Sequence, residues 1–200
     1  MSKQLLQMFT KAPQAGLVKT RLIADIGEQA ACDVYLELLQ KTLRLVADHA
    51  ADTELYCAPD DQHEFFQRCI ARYGLRLCSQ QGAELGERML CALQQGLTTH
   101  QKVVLVGADC PLLSEQYLDQ AFAALDQVDV VLGPAEDGGF VLIACKVSHP
   151  QMFAGVRWGE SSVLERTLLA LDQQGLSYRL LATLWDVDRI EDLQRWRAMR

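Results

Sequence analysis

Short apolar runs alternate with longer amphipathic stretches along most of this chain. The runs LLQMFT, TELYCA, LRLCS, KVVLVGA, DVVLGPA, FVLIAC and YRLLATLW read as strands, with helical patterns between most of them. The first helix is expected from Gly27 to His49, where Ala30, Val34, Leu38 and Val46 recur at helical spacing. Further helices are expected near 62–73, 85–97, 114–125, 161–173 and 189–199. At the third of these, Pro111, Ser114 and the first-turn acid Glu115 suit a helix start. No repeat, linker or low-complexity tract interrupts the alternation. It predicts an α/β fold of three layers, with helices on both faces of an open, mostly parallel mixed sheet. In such sheets crossovers are right-handed and ligands gather at the carboxyl ends of the strands, so the chemistry is to be sought in the residues that follow each strand.

Composition narrows the partners. Two hundred residues with 50% hydrophobic content bury one good core and leave little room for a second, so 1–200 reads as a single domain. A net charge of -7 and a pI near 5.1 argue against general affinity for nucleic acid or anionic membrane. An anion must then be met by a local basic patch, and the partner is expected to be a small molecule. No apolar run approaches the roughly 20 residues needed to cross a bilayer, and MSKQLLQMF lacks the features of a secretory signal, which points to the cytosol. The seven cysteines form an odd set without a CxxC pair, so neither a disulfide framework nor a zinc site is expected. The four histidines are far apart and read as surface residues; no Ser-His or Cys-His motif points to nucleophilic catalysis.

The charge distribution is uneven where it matters. Four bases, Lys3, Lys11, Lys19 and Arg21, precede the first acid, Asp25. Three of them follow the first strand in KAPQAGLVKTRL, a loop that also holds Pro13 and Gly16. The Walker A pattern fails here, since Leu17 and Val18 separate Gly16 from Lys19. What remains is a glycine turn, Lys19 as a point charge and Arg21 as a planar fork close to an expected helix start, a combination suited to phosphate. A solvated basic loop would look the same. In VVLVGADCPLL an apolar strand delivers Asp109, a carboxylate costly to bury unpaired and suited to a cleft or to Mg2+ or Mn2+; alternatively it caps the turn before Pro111. In LATLWDVDRIEDL, Asp186 and Asp188 are two residues apart on an extended segment and so face the same side, able to share a cation, unless Asp188 caps the last helix. Between these loops lies GPAEDGGFVLIAC. Its Gly138-Gly139 pair permits close approach of backbone to ligand, and Glu136 and Asp137 offer carboxylates to bind a hydroxyl or accept a proton. A hairpin turn explains EDGG equally well. In GAELGERM, Gly82 and Gly86 flank a helix start from which Arg88 can reach a nucleotide, or it is a surface arginine.

Taken in order, FTKAPQAGLVKTRL, GAELGERM, VGADCPLL, GPAEDGGFVLIA and WDVDRIEDL resemble a small bacterial family described as glycosyltransferases with the nucleotide-diphospho-sugar transferase fold (GT-A-like, Rossmann-like), over almost the whole chain. The molybdenum-cofactor and 2-phospho-lactate guanylyltransferases share that fold. The resemblance implies a nucleotide in the amino-terminal half of the sheet and an acceptor in the carboxyl half. It implies phosphate contacts from Lys19 and Arg21; Lys11, Gly16 and Arg88 are read beside them from their own loops. The resemblance implies a divalent metal, Mg2+ or Mn2+, on Asp109 with Asp186 or Asp188, and a place in the acceptor pocket for EDGG with Gly138 and Gly139; Trp158 joins them as an aromatic residue of the same half. Two departures stand out: the G-G-x-S-x-R-M-G phosphate loop of the molybdenum-cofactor enzymes is absent, and Cys110 and Pro111 follow Asp109 where many glycosyltransferases carry DxD. Glu136, Asp137, Phe140, Trp158, Glu160 and Trp185 outnumber Arg157 on the acceptor side, which favours a hydroxyl-bearing acceptor and glycosyl transfer, with Glu136 or Asp137 as base, over nucleotidyl transfer to a phosphate. A binding protein that kept the fold without the chemistry is the rival from another class.

Overall fold

The computed structural model describes residues 3–199. Seven strands form one sheet: β1 (Gln4–Lys11), β2 (Asp52–Ala58), β3 (Arg76–Ser79), β4 (Lys102–Val106), β5 (Val130–Pro134), β6 (Phe140–Cys145) and β7 (Tyr178–Leu180). Their order across the sheet is β3-β2-β1-β4-β6-β5-β7, and only β6 runs antiparallel to its neighbours. β1, with Leu5 through Thr10 all buried, has the continuous apolar character of a strand covered on both faces. Successive side chains go to opposite layers: Leu6 and Met8 to one, Leu5 and Phe9 to the other.

Helices α2 (Glu28–Asp48), α3 (Glu64–Tyr73) and α5 (Glu115–Ala124) cover the first face; α4 (Leu85–Leu97) and α6 (Val163–Gln173) cover the second. α2 carries the stripe that explains its burial, with Ala31, Val34, Tyr35, Leu38, Leu39, Leu43 and Val46 on one side. A third cluster joins the front half of α2 to Trp185, Val187 and α7 (Ile190–Arg197), which brings the end of the chain back to the opening loop.

Two expectations change here. The basic loop does not run into α2: a 3-10 turn (Thr20–Leu22) and a one-turn helix, α1 (Ile23–Ile26), intervene, and Gly27 with φ 82 and ψ 163 breaks them from α2. The long helix therefore starts at an acid, Glu28, away from the bases, and the attraction for an anion rests on side chains. His49, expected at the surface, is buried with its side chain 3% exposed; it stacks on Phe122 and bonds Asp119 at 3.3 Å.

Candidate active site

The strand order changes direction at β1. Its crossover to β2 goes to one side and the return to β4 lands on the other, so the loops after β1 and β4 part there and leave a crevice. Lys19, from the first loop, and Asp109, from the second, meet in it: Lys19 Nζ donates to Asp109 Oδ2 at 2.9 Å. The lysine side chain is only 5% exposed and the aspartate 39%, so the carboxylate forms the visible surface and the ammonium supports it from behind. Burial alone would depress the Lys19 ammonium, but Asp109, with Asp188 and Asp186 beyond it, reverses this and raises it. Burial likewise works to raise the Asp109 carboxyl, and the Lys19 charge and hydrogen bond outweigh it and hold it below the usual range.

Lys19 is also the one non-glycine among the described residues with positive φ, at 47. A left-handed residue with a side chain costs about 1–3 kcal/mol and persists where its surroundings over-determine it. Here the Leu22 N–H donates to the Lys19 carbonyl at 2.9 Å and the ion pair fixes the other end of the residue.

Two cavities meet at this pair and share Phe9, Leu85, Gly107 and Asp109. The first, about 330 Å³, lies on the β1 side and is lined by Lys11, Lys19 and Arg21 with Tyr35 and Gln80. Tyr35 from α2 bolts the end of β1, accepting from Lys11 N–H at 2.8 Å and donating to Lys11 carbonyl at 3.1 Å; burial pushes its phenol up to about 12. Gln80 ties β1 to β2 by donating to the Thr10 and Tyr56 carbonyls at 3.1 and 3.0 Å. Arg21 is held by Asp188. Gly16 turns the loop outside this cavity, beside Glu28.

The second cavity, about 230 Å³, lies on the β5 and β6 side and carries Asp109, Asp137, Glu160 and Asp186, walls of Phe9, Phe140 and Trp158, and no lysine or arginine. Trp158 stands edge-on to Phe140 and Phe153, with centroids 6.2 and 5.7 Å away. It fits over α4 because residue 86 is glycine, where a Cβ would fall 2.7 Å from the indole. Asp186 reaches the cavity through alternation: Trp185 and Val187 are buried, Asp186 and Asp188 turn the other way, and the Val187 N–H donates to the Asp109 carbonyl at 3.1 Å. Burial, then the charges of Asp109 and Asp137, push the Asp186 carboxyl up to about 7.

The sequence-predicted residues separate accordingly. Lys11, Lys19, Arg21 and Asp109 come together, as do Asp109, Asp137, Gly139, Trp158 and Asp186. Glu136 goes elsewhere: it takes a forked pair from Arg195 at 2.7 and 3.1 Å, and that hydrogen bonding lowers its carboxyl. Glu136 does not line the acidic cavity, whereas Asp137 does. Asp188 belongs to Arg21 and the basic side. Arg88 donates to the Gly82 and Ala83 carbonyls at 2.9 and 3.4 Å and lines neither cavity, so it fastens the turn before α4. Gly138, expected to let a ligand approach, is needed by the protein itself: with φ 89, a Cβ there would lie 2.0 Å from the Ser161 carbonyl oxygen. EDGG is the β5–β6 turn, and of its four residues Asp137 and Gly139 line the acidic cavity. Phe9, Tyr35, Gln80 and Leu85 were not singled out by sequence, as each belongs to an apolar or polar run without distinguishing pattern.

Hard oxygen donors on a phosphate-sized crevice fit Mg2+ or Mn2+ chemically. Asp109 and Asp186, which line one cavity, are carboxylates of the kind such an ion takes, since magnesium is bound by one or two carboxylates and takes its remaining ligands from phosphate and water. Among the described residues no group of three His, Cys, Asp or Glu side chains is arranged to hold a metal.

This arrangement is that of the nucleotide-diphospho-sugar transferase fold. A protein of Desulfovibrio desulfuricans G20, provisionally described as a nucleotide-diphospho-sugar transferase, superposes with a TM-score of 0.89 at 33% identity over 96% of this chain and 85% of that one. A cytidylyltransferase from Leptospira borgpetersenii gives 0.64 at 12% identity, covering 96% and 84%. The inositol-1-phosphate CTP transferase of T. maritima gives 0.60 at 11%, covering 99% and 95%. These last two show likeness of fold alone. The chain belongs to the bacterial family DUF2064, described as an uncharacterized protein conserved in bacteria, whose profile matches residues 41–160. No curated protein matches the sequence.

Proposed function

We propose that this protein is a metal-dependent glycosyltransferase that takes a nucleotide-diphospho-sugar in the basic cavity and passes the sugar to a small hydroxyl-bearing acceptor in the acidic, aromatic one. The observation that carries the reading is the uneven charge of two cavities joined at Asp109: Lys11, Lys19 and Arg21 against Asp109 and Asp188 in one, and Asp109, Asp137, Glu160 and Asp186 without a lysine or arginine among the described residues in the other. A diphosphate suits Lys11, Lys19 and Arg21, whereas the other cavity, with Asp137 and Glu160 beside Asp109 and Asp186 and no lysine or arginine among its described lining residues, favours a neutral hydroxyl over a phosphate. Trp158 and Phe140 offer apolar faces of the kind that sugar rings pack against.

Lys19 and Arg21 hold the diphosphate and stabilise the charge that grows on its leaving oxygens. Asp109 and Asp186 would hold Mg2+ or Mn2+, which supplies Lewis-acid stabilisation of the same oxygens. Asp137, in the acceptor cavity, takes the proton of the attacking hydroxyl. The bond from sugar to phosphate oxygen breaks, the bond from sugar to acceptor oxygen forms, and a nucleoside diphosphate leaves.

A second reading, nucleotidyl transfer to a phosphorylated small molecule, draws support from the fold neighbours, a cytidylyltransferase and a CTP transferase by name. The two differ in product. Incubated with magnesium and a panel of nucleotide-sugars and nucleoside triphosphates, the protein is expected to release a nucleoside diphosphate from a nucleotide-sugar. Pyrophosphate released from a triphosphate, with no diphosphate from any nucleotide-sugar, would decide for nucleotidyl transfer.

A further inference from the structure

We propose that Lys19 stands in for the metal at Asp109, and that a divalent ion gains this carboxylate only when nucleotide phosphate draws the lysine away. The inference deepens the nucleotide-binding reading above and rests on it for the identity of the displacing anion.

A lysine ammonium already sits 2.9 Å from Asp109 Oδ2, on the side chain that Asp109 would have to offer a metal. The ammonium is a compact point charge, so a divalent cation approaching that oxygen meets like charge as well as a filled position. The lysine is not free to drift into solvent, because its side chain is 5% exposed while its partner is 39% exposed. Its left-handed backbone fixes where the side chain starts, yet the stem above it has four rotatable carbons and lines the basic cavity alongside Lys11 and Arg21. A phosphate there offers the ammonium a new acceptor within the same crevice. Meanwhile Asp186, in no ion pair among the described residues, lines the acidic cavity with Asp109. Moving the lysine toward phosphate thus frees Asp109 beside Asp186, where the two would hold a divalent ion together with phosphate oxygens. Each ligand then raises the affinity of the other by the same factor.

The test is manganese binding without nucleotide, followed by water-proton relaxation. Lys19→Met is expected to bind manganese at least about tenfold more tightly than wild-type protein, a difference worth about 1.4 kcal/mol. Manganese should also raise its melting temperature where it leaves wild type unchanged, since the variant's Asp109 lacks a counter-ion. Adding Asp109→Asn to Lys19→Met should abolish the gain. Lys19→Gln, which keeps a hydrogen-bond donor for Asp109 but no charge, guards against a misfolded variant and is expected to gain affinity in the same direction. Wild-type manganese affinity equal to that of both folded variants would overturn the proposal. These titrations contain no nucleotide, so failure of the transferase reading would show separately, as absence of nucleotide binding to wild-type protein by calorimetry.

Discussion

At the scale of single residues, the site is set by which charges find partners inside the protein. Lys19 and Asp109 neutralise each other, Arg195 takes Glu136, and Asp186 is left to burial and like charge. The consequence is a pH dependence of stability with a definite sign. In metal-free protein the Asp186 carboxyl titrates near 7 when folded against an ordinary 3.8. Below 3.8 both states hold the proton and the group is neutral in its effect. As pH rises toward 7 the folded state keeps a proton that the unfolded state has lost, so stability falls, and above about 7 the full cost is present. Asp186→Asn removes the cost. Chelated variant and wild type should have similar stability near pH 4, and the variant should be ahead by on the order of 2 kcal/mol near pH 8, after allowance for partial exposure. Urea denaturation at both pH values measures this; a gap that is the same at each would sink the assignment. None of these pairings was legible in the sequence, since Lys19 and Asp109 are separated by 90 positions and Glu136 and Arg195 by 59.

At the scale of elements, all seven strands and the six longer helices follow the hydrophobic pattern, because burial on one or both faces is what the pattern encodes. The misreadings occur where backbone geometry or an edge position decides. YRLLATLW was expected to be one strand, yet β7 ends at Leu180. It pairs only with β5, where Pro134 has no N–H to give. The chain bulges outward at 181–183, Tyr117 hydroxyl donates to the Ala182 carbonyl at 2.7 Å, and pairing resumes as a lone bridge between Ala135 and Leu184. That detour delivers Asp186. The β5–β6 turn depends equally on backbone, through the contact of Gly138 with Ser161. Gly138→Ala must move the 161 carbonyl and adopt a left-handed φ, so it is expected to cost at least about 2 kcal/mol and to disturb the acidic cavity, which the turn and residues 158–163 jointly line. Gly27→Ala, at a positive φ with no atom within 4 Å of the added Cβ, tests backbone strain without the clash. A Gly138→Ala loss no larger than that of Gly27→Ala, by calorimetric melting, would show that the contact carries no weight.

At the scale of the molecule, the sheet order explains why an acidic protein presents a basic crevice. The β1–β4 switch gathers the acid-free first loop on one side and Asp137, Glu160 and Asp186 on the other, with Asp109 between them, so a chain of net charge -7 still presents one cavity that holds all three of the loop's bases. The order of loops and the convergence of their residues were foreseeable from strand-end positions in an α/β chain. The sharing of residues between cavities was not, since it depends on how far each loop folds back. Among the described residues no helix is long and apolar enough to cross a membrane.

The most direct measurement is anomalous diffraction from crystals grown with manganese and a nucleoside diphosphate. The account places the metal between Asp109 and Asp186, the diphosphate against Arg21 and a displaced Lys19, and the acidic cavity open beside Trp158. A metal held instead by Asp188 and Asp192, or a diphosphate lying in the cavity of Asp137 and Glu160, would contradict it.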